Sequence, residues 1–232
     1  MKNLTALILA IFILTSLHGC GFWDKPDFRE VKWGMSKRDV KETETAELVK
    51  EGEDVLTYRI TGDMLDQSGR TQVPGAEPPV DGTEEEGTEN VEPVVTVASY
   101  EYDLLYVFGK GKLGMAVIHL RETLNEPEDY IELFRGKSRK LSETIGASAK
   151  GVAEYPTGET PRPNPYETPE DICEGEYVLK HVWPAGRKKT NVSLELDKKK
   201  FSSEPDCNLS IFYESADVQI DPVLRDQLHE VL

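Results

Sequence analysis

The sequence predicts an α+β protein made of two tandem helix-plus-antiparallel-sheet units, with a long acidic loop inserted in the first. Three observations carry that prediction. Helix-start signals stand at Ser36 and at Asn125. Runs with the alternation of half-buried strands follow each of them, at 54–60 and 103–120 after the first and at 176–214 after the second. Polar connections rich in Gly and Pro, 66–93 and 147–172, separate these runs. The organisation that follows is a segment 1–19 that is removed, a tether 20–29, a first unit 30–124 and a second unit 125–232.

The segment 1–17 has one positive charge at Lys2 and then an apolar stretch, 4–14, which Thr15 and Ser16 bring to an end. This is the layout of a secretion signal. A membrane-spanning helix needs about 20 apolar residues, more than this stretch supplies. The run Leu17-His18-Gly19-Cys20 resembles the lipobox of bacterial lipoproteins, with an aliphatic residue three places before the Cys and a small one just before it. His18 departs from the pattern, which has a small residue there. The resemblance implies that the Cys20 sulfur receives a diacylglyceryl group, that 1–19 is cut away, and that the new amino terminus takes a further fatty chain of the palmitate kind. Each buried CH₂ contributes about 0.8 kcal/mol, so two or three chains anchor a protein stably where one does not. In a cell with two membranes, Gly21 rather than Asp after the Cys leans towards the outer membrane, facing the periplasm. An ordinary signal peptide with an incidental Cys, or an uncleaved anchor helix, is the competing explanation.

Residues 21–29 carry scattered charge with one Gly and one Pro, and read as a short tether. Next comes Trp33-Gly34-Met35-Ser36-Lys37-Arg38-Asp39-Val40. Ser36 is a natural N-cap, Asp39 closes a capping box, and Met35 with Val40 forms a hydrophobic staple, so a helix starts at Lys37. This run resembles the opening of small bacterial envelope lipoproteins of the outer-membrane assembly type and of modules shaped like the β-lactamase inhibitor protein. The resemblance implies a helical segment packed on a short antiparallel sheet, often in tandem. It implies no particular partner.

A strand at 54–60 places Leu56, Tyr58 and Ile60 on one face. The segment 66–93 then combines Gly, Pro and the acids Glu77, Asp81, Glu84, Glu85, Glu86, Glu89 and Glu92 with almost no large apolar side chain. Such a composition buries too little to order itself, and reads as a flexible acidic loop. A calcium or cationic-partner site is the alternative, but the Asp-x-Asp-x-Asp-Gly spacing is missing. Strand signals resume at 94–98 and strengthen at 103–108, where Gly109-Lys110-Gly111 turns the chain back into 112–120. This hairpin extends the resemblance to the same lipoprotein group. Asn125 with Glu128 then caps a second helix with Tyr130, Phe134, Leu141 and Ile145 on one stripe, ending at Gly146. Three more strands follow at 176–183, 190–196 and 207–214, the first two joined through Pro184-Ala185-Gly186-Arg187. Thr190, Val192, Leu194 and Leu196 alternate with Asn191, Ser193 and Glu195, and 221–232 forms a short final helix.

With 43 acidic against 27 basic residues and a net charge of −16, the chain is repelled by nucleic acid and by anionic lipid headgroups. Once Cys20 is lipidated, Cys173 and Cys207 remain, an even pair suited to an oxidising compartment. Joining them closes a loop of about 35 residues, worth roughly 3 to 4 kcal/mol in the chain-entropy account. Two free thiols are the alternative.

No nucleophile elbow, phosphate loop or metal-binding helix motif is present in the sequence, and His119, His181 and His229 stand alone in segments that packing or solvent exposure explains. Trp33 and Trp183 serve a core more readily than a ligand. Asn191-Val192-Ser193 is a glycosylation sequon by pattern alone. No catalytic set, cofactor or metal is therefore expected. The expected function is a lipid-anchored, non-catalytic protein-interaction or assembly module of the envelope with a protein partner. The alternative is a surface-attached hydrolase or cation-binding protein that uses loop carboxylates.

Overall fold

A computed structural model describes residues 27–62, 100–155, 164, 166–184, 189–200, 202 and 206–231. Cys20, the acidic segment 66–93, the strand expected at 94–98 and most of the turn at 184–187 lie outside the described residues. Within them the chain is mixed α+β, an eight-stranded antiparallel sheet with four helices.

Helix α1 (Lys37–Thr43) begins where the capping box puts it: Ser36 Oγ accepts from the Asp39 amide at 3.3 Å and the Asp39 carboxylate accepts from the Ser36 amide at 3.1 Å. Two turns of helix do not hold themselves in water. The fully buried Val40 fixes α1 to the sheet, and the chain leaves it at Glu44. Strand β1 (Glu47–Glu51) follows and pairs with β2 (Val55–Thr61). All five residues of β1 are exposed, so no alternation marks it in the sequence. A bulge between Leu48 and Lys50 leaves Val49 without a partner residue on β2. In β2 the expected face holds, with Leu56, Tyr58 and Ile60 buried.

Strands β3 (Glu101–Gly109) and β4 (Lys112–Leu120) form the expected hairpin, Gly109 paired with Lys112. Lys110 and Gly111 both have positive φ, 51° and 75°, the two-residue turn that matches the twist of a hairpin. Helix α2 (Pro127–Ile145) corrects the expected start. Asn125 does not cap it. Glu126 occupies the N-cap without a side-chain bond, because Pro127, whose ring presets a helical φ and which has no N–H to satisfy, takes the first helical position. Gly146 ends it in the left-handed conformation, φ 72°, as expected. The buried stripe is Tyr130, Ile131, Phe134 and Ser138; Ile145, expected on it, is 39% exposed at the frayed end.

Two further elements fall inside the stretch read as a connection. They are β5 (Lys150–Glu154), an edge strand, and α3 (Pro169–Glu174), a turn and a half between Pro169 and a left-handed Gly175. A disulfide joins Cys173 on α3 to Cys207 at the start of β8, both cysteines buried. Strands β6 (Val178–Trp183), β7 (Thr190–Lys198) and β8 (Cys207–Ser215) and helix α4 (Pro222–Val231) complete the chain. The strand order is β1-β2-β3-β4-β8-β7-β6-β5, so one sheet runs through the whole molecule across a β4–β8 junction.

The main core lies on the face that packs against α1, α2 and α3, from Leu56 and Tyr106 to Leu194, Trp183 and Ile211. Phe28, near the end of the stretch read as tether, belongs to it, and Arg29 is tied to its border. Phe28 is 6% exposed, with its ring 4.5 Å from that of Tyr213, and Arg29 is paired with the buried Glu44 at 3.0 Å. Trp33 donates from Nε1 to Thr190 Oγ1 on β7 at 2.8 Å, while Gly34 and Met35 exchange backbone bonds with Leu113 on β4. The opening motif therefore straps the β4–β8 junction. Trp183, 1% exposed, donates to Ser142 Oγ and the Ala147 carbonyl, as a core residue does.

The opposite face has a second, smaller core of Leu105, Val107, Met115, Val117 and Phe212, met by Leu228 of α4 with Leu224 and Ile220 at its border.

Candidate functional site

Beside that small core the same face turns polar, and the register explains how. Each antiparallel pair sets residues side by side on one face. Glu47 pairs with Arg59, Arg59 with Asp103, Asp103 with His119, His119 with Ser210, Ser210 with Glu195, and Glu195 with Lys180. One continuous polar row thus crosses the sheet from β1 to β6 and ends against Val152 on β5. Alternation with the core residues places all of it on the face away from α1, α2 and α3.

Charges of opposite sign stand side by side at the two ends of the row, Glu47, Arg59 and Asp103 at one and Glu195 and Lys180 at the other. Lys180 Nζ lies 2.6 Å from Glu195 Oε1, which also accepts from Ser193 Oγ at 2.9 Å. Arg121, at the end of β4, reaches Glu101 at 2.6 Å and Asp103 at 3.3 Å. Burial raises the Asp103 carboxyl, and Arg121 and Arg59 oppose that shift. At the centre His119 is 9% exposed and Ser210 3%, with Nδ1 and Oγ 3.2 Å apart. Burial, helped by Lys199 and Arg121, pushes the imidazole down to about 4, so it is neutral at physiological pH. Asp197, beside Asn208 on β8, is pushed up to about 7 by burial and then by Glu195. The site thus holds a neutral histidine, a carboxylic acid that ionises near neutrality, and matched ion pairs, on a rigid sheet. The centre of the row, His119, Ser210 and Glu195, is buried, while Arg59, Asp103 and Lys180 are partly exposed.

His181 forms a second polar cluster on the core side, where Ser138 Oγ is 2.6 Å from Nδ1 and Tyr166 OH 2.5 Å from Nε2. Both ring nitrogens are engaged and burial lowers the pKa, so the ring pins α2 and the 166 turn to β6. In both clusters the serine is less than a tenth exposed, which leaves its hydroxyl no open approach. Asp171, Glu174 and Glu176 bring carboxylate oxygens within 4.8 Å of one another around α3. They are surface groups of like charge that gather where a six-residue helix ends.

Of the residues singled out in the sequence, Cys173 and Cys207 meet in the disulfide, and Cys20 lies outside the described residues. The polar row is the feature that sequence reasoning misses. Its trace is the polar half of the β7 alternation, Asn191, Ser193 and Glu195, but which residues stand beside them depends on the register with β6 and β8. Among the described residues no helix is long and apolar enough to cross a membrane.

Fold and site define a mixed α+β protein built on one antiparallel sheet, with a polar row and a small apolar strip on the face opposite its main core. Compared with protein-family models, curated proteins and solved structures, the chain matches none of them.

Proposed function

We propose that this chain is a lipid-anchored lipoprotein of the bacterial envelope, held through Cys20, whose body is a non-catalytic protein-interaction or assembly module. The observation that carries the interaction reading is the second face of the sheet, where a polar row, buried at His119, Ser210 and Glu195 and partly exposed at Arg59, Asp103 and Lys180, borders an apolar strip that one short helix meets among the described residues. Apolar centre with polar rim is the anatomy of protein interfaces. The strongly acidic composition supports a protein partner over nucleic acid. The reading of two tandem units is supported by a helix followed by four strands in each half, with α3 interposed after β5 in the second, and by a strand order that mirrors itself about the β4–β8 junction. Anchoring rests on Leu17-His18-Gly19-Cys20, with an outer-membrane, periplasm-facing location favoured by Gly21.

Photo-crosslinkers placed at Thr57 on the polar face and at Glu132 on α2 test the interaction reading in envelope preparations. A discrete adduct from Thr57 and none from Glu132 is the expected result; equal labelling from both positions rejects it. Anchoring has its own test. Cys20→Ser should shift the chain from the membrane fraction to the soluble fraction with its melting transition unchanged, and a wild-type mass without acyl groups would refute the lipid.

A further inference from the structure

Resting on the reading of the body as an interaction module, we propose that the apolar strip under α4 is a docking groove for an amphipathic helix of the partner, and that α4 occupies it in the free protein as a displaceable stand-in. The strip is built from Leu105 and Val107 on β3, Met115 and Val117 on β4 and Phe212 on β8, all buried, and it forms a cluster separate from the main core. Among the described residues one ten-residue helix meets this surface.

The attachment of that helix is uneven. The segment just before it is locked. A Cβ on Gly109 would collide with the carbonyl oxygen of Gln219, and one on Gly114 would lie 2.8 Å from Ile220 Cδ1 and 2.9 Å from Val218 Cγ1. At Gly109 the clash is with backbone, so glycine there is what lets 219 lie so close to the hairpin. Beyond this pivot the grip is thin: Leu228 is buried, Leu224 half-buried, and Val223 is 63% exposed. One ion pair, Arg225 to Glu214 at 2.6 Å, joins side chains that are 40% and 23% exposed. A helix of ten residues is not stable by itself, so α4 persists only while those contacts hold. A firm pivot followed by a weakly held helix is the construction of a segment that swings out without disturbing the sheet.

The resident helix also states what the groove accepts. Leucines four residues apart enter the strip, and a basic residue directly after the first of them meets Glu214. The ligand class is therefore an amphipathic helix of the pattern Leu-Arg-x-x-Leu, whose basic residue meets Glu214 at the border of the strip. This is the helix-in-groove mode of recognition.

A fluorescent peptide with the sequence of 217–232 is the probe, offered in trans to the full-length wild-type chain and to the full-length double variant Leu224→Asp, Leu228→Asp. The variant should bind it at least tenfold more tightly than wild type, and a peptide carrying the same two aspartates should not bind. A variant that keeps its near-UV circular dichroism yet fails to bind overturns the groove, as does equal binding by wild type and variant. Hydrogen exchange on the wild-type chain needs no variant. Amides of α4 should exchange at least tenfold faster than those of β8, and equal protection overturns displaceability. The crosslinks from Thr57 judge the interaction module separately, so adducts there with no peptide binding would reject this groove alone.

Discussion

Burying a carboxylate costs several kcal/mol unless its lone pairs are met, and at Glu44 five donors meet them: Arg29 Nε and Nη2, the Tyr106 hydroxyl, and the amides of Thr45 and Ala46. Burial alone would raise its pKa, but Arg29, Tyr106 and the amides outweigh that and hold it below the usual range. Glu44→Ala leaves Arg29 and Tyr106 unmatched and should cost about 3 kcal/mol or more in urea unfolding, with Glu44→Gln losing less. A second residue-scale prediction concerns pH. Asp197 ionises at about 7 in the fold against 3.8 ordinarily, so the stability it contributes is full below the lower value and lost as pH rises through the upper one. His119 does the reverse: it titrates at about 4 against 6.5 ordinarily, so its contribution is full above 6.5 and lost as pH falls through 4. The two slopes oppose one another between about pH 4 and 6.5, and partial solvent screening leaves each worth about 1 to 2 kcal/mol. Asp197→Asn should therefore unmask a loss of stability on acidification, and His119→Gln a gain, in urea titrations run at about pH 4.5 and about pH 8. Parallel pH profiles for the two variants would contradict this.

At the scale of elements, the disulfide adds a covalent tie to the apolar grip that Ile172, fully buried in the main core, gives α3, which is too short to persist without tertiary contacts. The bond spans a sequence separation of 34 residues, worth about 3 to 4 kcal/mol in the chain-entropy account. Reduction should lower the melting temperature by about 10 °C, read by calorimetry with and without reductant. Elements with a buried face announce themselves in the sequence. Strands β2, β3, β4, β6, β7 and β8 carry alternating or continuous apolar residues, and α1 carries its capping box. β1 and β5 are edge strands with little to bury, and α3 is six residues long, too short for a repeat, so none of the three has a periodicity to find. The same limit hides the polar row. Its central contact, His119 beside Ser210, depends on β4 pairing with β8, and the sequence separation of 91 erases any local signal of that pairing.

The whole molecule is tied together by that junction. The bond from Trp33 to Thr190 and the packing of Phe28 on Tyr213 join the two ends of the chain, and the β4–β8 ladder lies between them. Residues 27–124 expressed alone would expose the inner edge of β4 and lose the partners of Phe28 and Trp33. That fragment should be unfolded or aggregated, whereas the full chain should melt in one calorimetric transition; two resolved transitions would show independent halves. The bulge at Val49 has a consequence at the outer rim. If the chain is anchored through Cys20 as proposed, copies crowded on one membrane meet sideways at high effective concentration, where a straight, bare ribbon margin invites unlimited edge-to-edge stacking. Here the margin is five residues long, bears Glu47, Lys50 and Glu51, and has its ladder spacing thrown out of step by one extra amino acid. That rim is therefore a poor template for pairing with a neighbouring copy.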